Sequence, residues 1–175
     1  MQQQQANETA NGQEGQPPAQ KAPGAQGKGK ISNVVTKFSF ATKGGIAPHN
    51  PGKTNQDAYI TSPHIMGLKH CHFFSVCDGH GKNGREVSGL LKHRLPFHVE
   101  NCMKKQLGAH DFGKDYPESQ EVHTALSDAF SLSQQEVSNM MLDTRYSGST
   151  CVSVMTLGRK LYMANVGDSR GIVIR

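Results

Sequence analysis

The sequence predicts an α+β fold for residues 31–175, because segments with the pattern of strands lie on both sides of a central helical segment. Three observations support this fold class: β-branched and aromatic runs before residue 80, apolar residues at helical spacing from 87 to 130, and apolar runs separated by glycine after 148. Residues 1–30 are mostly Gln, Gly, Ala and Pro, so they predict a disordered low-complexity tail.

Three strands are predicted before residue 80. Residues 34–40 are rich in β-branched and aromatic side chains, and residues 55–60 change from polar to apolar along their length. Residues 72–77 are almost continuously apolar, as in a strand that is buried on both faces. We expect this third strand to end at the run Asp78-Gly79-His80-Gly81.

Two helices are predicted to follow. Val87, Leu90, Leu91 and Leu95 recur at helical spacing, and Pro96 is expected to kink the first helix or end it early. The second helix is expected to begin near Pro117-Glu118, since both residues suit a first helical turn. Its apolar stripe comprises Val122, Ala125, Leu126, Ala129 and Phe130.

A β-meander is predicted for the remaining residues. It consists of strands at 150–157, 161–166 and 171–175, with a turn at Gly158-Arg159. The last predicted strand stops at Arg175 without a turn or a polar tail, so we expect the chain to be part of a longer domain.

Composition narrows the possible environment and partners. The net charge is +5, but the basic residues are scattered, so nucleic-acid binding is not predicted. The four cysteines form no C-x-x-C pair, and the chain shows neither a signal peptide nor an apolar segment long enough to span a membrane. These features favour a reduced intracellular protein, in the cytoplasm, the nucleus or both.

Three aspartates could carry chemistry. Asp57, Asp78 and Asp168 each lie at the edge of a predicted strand. Carboxylates and a backbone carbonyl such as that of Gly79 are the oxygen ligands that Mg²⁺ and Mn²⁺ prefer, and two such ions can activate a water toward a phosphate ester. For each aspartate alone, a turn residue or a helix cap remains the alternative interpretation.

Three blocks, in order along the chain, resemble the signature of the type 2C metal-dependent Ser/Thr protein phosphatases. They are Lys53-Thr54-Asn55-Gln56-Asp57, Phe73-Phe74-Ser75-Val76-Cys77-Asp78-Gly79-His80-Gly81, and Gly148-Ser149-Thr150 followed by Ala164-Asn165-Val166-Gly167-Asp168-Ser169-Arg170. The resemblance implies a four-layer αββα sandwich, of which this chain would hold the N-terminal part. It also implies hydrolysis of phosphoserine and phosphothreonine in protein substrates, by a domain that is monomeric when complete.

The resemblance implies a role for each matching residue. Asp57 would be a metal ligand, Asp78 would bridge two Mg²⁺ or Mn²⁺ ions, and the Gly79 carbonyl would be a further ligand. His80 would be the general acid that protonates the leaving oxygen. Asp168 would serve a third, weaker metal site. The hydroxyls of the Gly148-Ser149-Thr150 block would be structural.

The sequence also departs from the family pattern. Gln56 stands where many members carry a carboxylate, and Lys53 stands near the position where some members carry a phosphate-binding arginine. Lys53 is therefore a candidate for binding the substrate phosphate, with an ordinary solvated lysine as the alternative. The later Asp-Gly and Asp-Asn blocks of the family have no counterpart before Arg175, so we expect the isolated chain to be nearly inactive.

Two other interpretations follow from these departures and from residue types. The first is a catalytically dead, phosphatase-like module that binds or scaffolds a partner. The second is a zinc site formed by Cys71, His72, Cys77 and His80, which is disfavoured because an extended strand would hold its two cysteines far apart.

Overall fold

The computed structural model describes residues 31–46 and 48–174, so the predicted tail at 1–30 lies outside the described residues. The described chain forms a five-stranded antiparallel sheet with two long helices packed on one face, which confirms the α+β class. The elements are β1 (Asp57–Pro63), β2 (Cys71–His80), α1 (Gly84–Leu107), α2 (Ser119–Ser138), β3 (Gly148–Ser149), β4 (Cys151–Leu157) and β5 (Lys160–Val166).

The order of the strands in the sheet is β1-β2-β4-β5, and β3 pairs with the end of β2. β2 does not end at Asp78 as predicted, but continues to His80. The reason is that β3 supplies a partner for these last residues, with Gly79 opposite Ser149 and His80 opposite Gly148. Asp78, Gly79 and His80 therefore lie within the sheet, and Gly81 follows it.

The core lies between the sheet and the two helices. Along β2 and β4 alternate side chains point toward the helices, as the period of a strand requires. The largest fully buried side chains include Phe73, Leu95, Met103, Leu107, Met155 and Leu157. The opposite face of the sheet, called here the outer face, leaves Val76, Leu161 and Met163 between 40% and 51% exposed.

Helix α1 is continuous through Pro96, so of the two predicted effects, a kink or an early end, the early end does not occur. A proline inside a helix costs about 3 kcal/mol, since it removes one backbone hydrogen bond and crowds the preceding turn. Val99, Cys102 and Met103 follow Pro96 and are buried against the core. The burial of several such side chains, at roughly 1.5–3 kcal/mol each, outweighs the cost of the proline.

Helix α2 begins as predicted. Glu118 is its N-cap, and the N–H of Glu118 donates to Oε2 of Glu121 at 3.0 Å, as in a capping box. Val122, Ala125, Leu126 and Ala129 are buried, which confirms the predicted apolar stripe. Arg94 of α1 donates a hydrogen bond from Nε to Oε2 of Glu136 at 2.7 Å, and this ion pair joins the two helices.

Two predicted strands do not form. Residues 34–40 have no regular secondary structure, and neither have residues 171–174, which belong to the predicted last strand. Phe38 and Phe40 instead pack their rings against Phe74 and Tyr59, at centroid distances of 5.1 and 4.1 Å. Residues 34–40 are thus held on the outer face by aromatic packing and not by the backbone hydrogen bonds of the strand that their β propensity predicted.

Candidate metal centre

The centre of the candidate site is a pair of aspartates on neighbouring strands. Asp57 begins β1 and lies directly opposite Asp78 of β2. Both therefore belong to the outer face, away from the helices, and both are exposed. Although Asp57 is exposed as a whole residue, partial desolvation of its carboxyl group and the nearby Asp78 carboxylate raise its pKa, while the charge of Lys53 opposes this. Two carboxylates that repel each other in this way suit a divalent cation between them.

Gly79 follows the pair and is held by close backbone packing. Its N–H donates to the carbonyl of Gln56 at 3.2 Å. A Cβ at this position would collide with the backbone carbonyl oxygens of Gln56 and Gly84, so only glycine fits. This requirement is steric and explains the glycine by the packing of the backbone. The carbonyl of Gly79 is an oxygen of the type that hard cations bind.

Gln56 has a positioning role that the sequence did not reveal. Its side-chain Nε2 donates to the carbonyl of Gly81 at 2.7 Å, which a glutamate could not do. Its backbone carbonyl accepts a hydrogen bond from the buried hydroxyl of Ser88 at 2.6 Å. Ser88 is a polar residue on the same helical face as Leu91 and Leu95, and that pattern was the available signal.

Thr150 connects the Asp78 strand to the loop that carries Asp168. The backbone N–H of Thr150 donates to the Asp78 carbonyl at 2.9 Å, and its Oγ1 accepts from the Asp78 N–H at 3.2 Å. The same Oγ1 lies 2.6 Å from Oγ of Ser169, which follows Asp168. The hydroxyl of Thr150 is thus structural, and it fixes the Asp168 loop at the end of β2.

Two further candidate residues are exposed: Lys53, which precedes Asp57 in the chain, and His80, which follows Asp78. His80 lies opposite Gly148, where a Cβ would come within 3.0 Å of the histidine Nε2. Gly148 therefore provides the space that the imidazole occupies. Lys53 belongs to the turn before β1, and its N–H donates to the Asn50 carbonyl at 3.2 Å.

The structure places Asp57 opposite Asp78, which Gly79 follows in β2, but it does not gather three ligating side chains at one point. Within the described residues, no group of three or more His, Cys, Asp or Glu side chains could hold a metal ion. Asp168 is thus not clustered with the aspartate pair. The same finding argues against the zinc site at Cys71, His72, Cys77 and His80.

Comparison with known proteins identifies the family. The family model of protein phosphatase 2C matches residues 48–175. The chain is 33% identical over 141 residues to the probable protein phosphatase 2C 35 of Arabidopsis thaliana, covering 81% of this chain and 37% of the relative. It is 34% identical over 120 residues to the probable protein phosphatase 2C 64 of Oryza sativa subsp. japonica, covering 68% and 26%.

A solved structure is also similar. It is the crystal structure of the PPM Ser-Thr phosphatase MsPP from Mycobacterium smegmatis in complex with cacodylate, with 18% identity and a TM-score of 0.43 over 79% of this chain and 48% of that one. The chain spans about a third of the length of the curated relatives named above. The match of the family model over residues 48–175 nevertheless covers most of the sequence, and the chain belongs to the protein phosphatase 2C family.

Proposed function

We propose that this chain is the part of a metal-dependent protein phosphatase that holds the bridging aspartate and the general acid. The observation that carries the proposal is the juxtaposition of Asp57 and Asp78 on adjacent strands, beside a glycine whose carbonyl is a further oxygen donor. The substrates would be phosphoserine and phosphothreonine in proteins, as membership of the family suggests.

The residues present fit Mg²⁺ or Mn²⁺. Asp57, Asp78 and the Gly79 carbonyl would hold these ions from this chain, and Asp168 would hold a further, weakly bound ion. When bound, such ions supply a water of lowered pKa and a positive charge that orients the phosphoryl group. The hydrogen bonds of Gln56 and Thr150 hold the backbone of Asp78, Gly79 and Gly81 in place for this role.

His80 and Lys53 would act on the substrate. The imidazole of His80 would donate a proton to the serine or threonine oxygen as the phosphoester bond breaks, because an alkoxide is a poor leaving group. Lys53 would place its ammonium group near the substrate phosphate, and its electrostatic effect on Asp57 indicates that it lies near the pair. A lysine gives a point charge in place of the bidentate contact of an arginine.

A phosphate-release assay on a phosphothreonine peptide with Mn²⁺ tests the proposal. We expect the 175-residue chain to show nearly no turnover, since its metal site lacks carboxylates that the family carries further along the chain. If the transcript encodes further aspartate blocks after codon 175, we expect the longer product to release phosphate and its Asp78→Asn variant to lose at least two orders of magnitude in rate.

A longer product that carries those blocks and still releases no phosphate would instead support the binding or scaffold module. The hydrogen bond of Gln56 to Gly81 weakens one argument for that alternative. A glutamate carboxylate could not donate this hydrogen bond, so the contact gives Gln56 a role in positioning the backbone of the site.

A further inference from the structure

Two cysteines face each other in the sheet, next to the candidate metal centre. The register that pairs Val76 with Val152 places Cys77 opposite Cys151 at the next position. Both are buried free thiols, and their Sγ atoms lie 3.7 Å apart. We propose that Cys77 and Cys151 form an oxidation site, at which a peroxide converts the two thiols into a reversible disulfide between β2 and β4.

The backbone geometry suits this bond. The Thr150 N–H donates to the Asp78 carbonyl, which makes those two residues a hydrogen-bonded pair. Since pairs alternate along an antiparallel ladder, Cys77 and Cys151 are a non-hydrogen-bonded pair with Cα atoms about 4.5 Å apart. That separation lies at the short end of the range of about 4.4–6.8 Å found for disulfides, and the sulfur atoms need to approach to about 2.05 Å.

The surroundings distinguish the two thiols. Oγ of Ser75 lies 3.1 Å from Sγ of Cys151 but 4.0 Å from Sγ of Cys77. Oγ of Ser153 lies 3.5 Å from Sγ of Cys151. Each hydroxyl also has an oxygen acceptor within reach: the Val152 carbonyl lies 3.0 Å from Oγ of Ser75, and Oγ of Ser75 lies 2.9 Å from Oγ of Ser153. When either proton turns to the sulfur instead, it stabilises the thiolate form, which is the nucleophile. Cys151 therefore has the environment of the attacking cysteine.

A cavity gives a small oxidant access to Cys151. It measures about 730 Å³ and lies between the helices and the strands β3 to β5, with Cys151, His80 and Val166 in its lining. Cys77 is not part of the lining and is fully buried. The peroxide would thus reach Cys151 first, and Cys77 would be the resolving cysteine.

The chemistry balances with hydrogen peroxide as the oxidant. The Cys151 thiolate attacks one peroxide oxygen, the O–O bond breaks, and the leaving hydroxide takes a proton to become water. The sulfur of Cys77 then attacks the sulfenic acid sulfur, the S–S bond forms, and the S–O bond breaks with release of a second water. Two thiols lose two electrons in total, and the peroxide gains them.

The position of the bond gives it a consequence for the candidate site. Cys77 immediately precedes Asp78, so the disulfide would draw β2 and β4 together where the hydrogen bonds of Thr150 fix the Asp78 backbone. This consequence rests on the proposed function, whereas formation of the bond does not. The bond is therefore tested by peptide mapping, which is independent of phosphatase activity.

The experiment uses the folded 175-residue chain with the substitution Cys71→Ser, treated with hydrogen peroxide and digested with trypsin. Cys71 and Cys77 share the tryptic peptide of residues 70–82, so the substitution makes the assignment unambiguous. We expect a peptide that links residues 70–82 to residues 146–159, with the loss of two hydrogen atoms, and we expect dithiothreitol to reverse it. A chain unfolded in urea is expected to lose this selectivity.

Two variants sharpen the test. Cys102→Ser removes a buried thiol of α1 and is expected to leave the link unchanged. Cys77→Ser is expected to leave Cys151 as a sulfenic acid that dimedone captures. The proposal is wrong if the folded chain keeps all its thiols under peroxide, or if Cys151 links to Cys102 in place of Cys77. These results would stand whether or not the phosphatase proposal fails.

Discussion

At the scale of single residues, the candidate site depends on two like charges that the fold holds together. The pKa of Asp57 is raised, chiefly by partial desolvation of its carboxyl group and then by the Asp78 carboxylate, so the folded chain holds this proton to a higher pH than the unfolded chain does. Ionisation of Asp57 therefore destabilises the metal-free fold, and this cost appears as the pH rises through the raised pKa. A bound cation would remove that cost.

The substitution Asp57→Asn separates these two effects. We expect it to raise the melting temperature of the metal-free chain at neutral pH, because it removes the repulsion from Asp78. We also expect it to reduce the additional stabilisation by Mn²⁺, because it removes a ligand. Thermal unfolding with and without Mn²⁺ measures both. Asp128→Asn in α2 is the control, and a metal-free melting temperature lowered by Asp57→Asn would contradict the interpretation.

Ser88→Ala tests the hydrogen bond that positions the backbone before β1. The buried hydroxyl donates to the carbonyl of Gln56, which in turn accepts from Gly79, so its loss should destabilise the chain by about 1 kcal/mol. Urea unfolding monitored by circular dichroism measures the change. Ser131→Ala is the matched control, because its exposed hydroxyl bonds only the carbonyl one turn back. Equal effects of the two variants would show that the Gln56 contact adds nothing.

At the scale of elements, local propensity predicted the helices and the central strands, but it failed where tertiary packing decides. The spacing of Val122 and Leu126 was enough to predict which face of α2 is buried. Pro96 was misleading, because the buried residues after it hold α1 together. Phe38 and Phe40 have high β propensity, yet they contribute aromatic contacts to the outer face without a strand partner within the described residues.

Pro96→Ala tests whether packing carries α1 across the proline. Alanine would restore an N–H that can bond the carbonyl of Lys92, and it would remove the steric conflict of the ring. We therefore expect a higher melting temperature and a free energy of unfolding that is larger by up to about 3 kcal/mol. Thermal and urea unfolding give the value. A variant that is less stable than the unaltered chain would mean that the proline ring makes packing contacts worth more than the lost hydrogen bond.

At the scale of the whole molecule, residues 31–46 and 48–174 form two layers, in which the helices cover one face of the sheet and the described residues leave the outer face partly open. Only the family resemblance predicted that Asp57 and Asp78 are neighbours. The two aspartates are separated by 20 residues in the sequence, and they meet because of the register between β1 and β2, which the sequence pattern does not show. Thr150 and Gln56 were missed as positioning residues, since hydrogen bonds between distant segments leave no periodic signal. Ser88 was also missed, although its place on the same helical face as Leu91 and Leu95 was a signal. No helix among the described residues is apolar and long enough to cross a membrane.

The open outer face predicts self-association of the isolated chain. Leu161 and Met163 on β5 are 46% and 40% exposed, and apolar patches of this kind promote contacts between molecules. We expect Leu161→Thr combined with Met163→Thr to lower the aggregated fraction in light scattering without lowering the melting temperature. Leu132→Ser on α2, where the leucine is 38% exposed, is the control and is expected to change little. An unchanged aggregated fraction in the double variant would contradict this role of the face.

The central claim is that Asp57 and Asp78 form a metal centre. The most direct test is to measure the binding of Mn²⁺ to the 175-residue chain through the loss of the free-ion signal in electron paramagnetic resonance. We predict weak but measurable binding that Asp78→Asn reduces at least tenfold, whereas Asp128→Asn leaves it unchanged. Binding that is equally strong in the Asp78→Asn variant would contradict the account, because the ion would then lie elsewhere on the molecule.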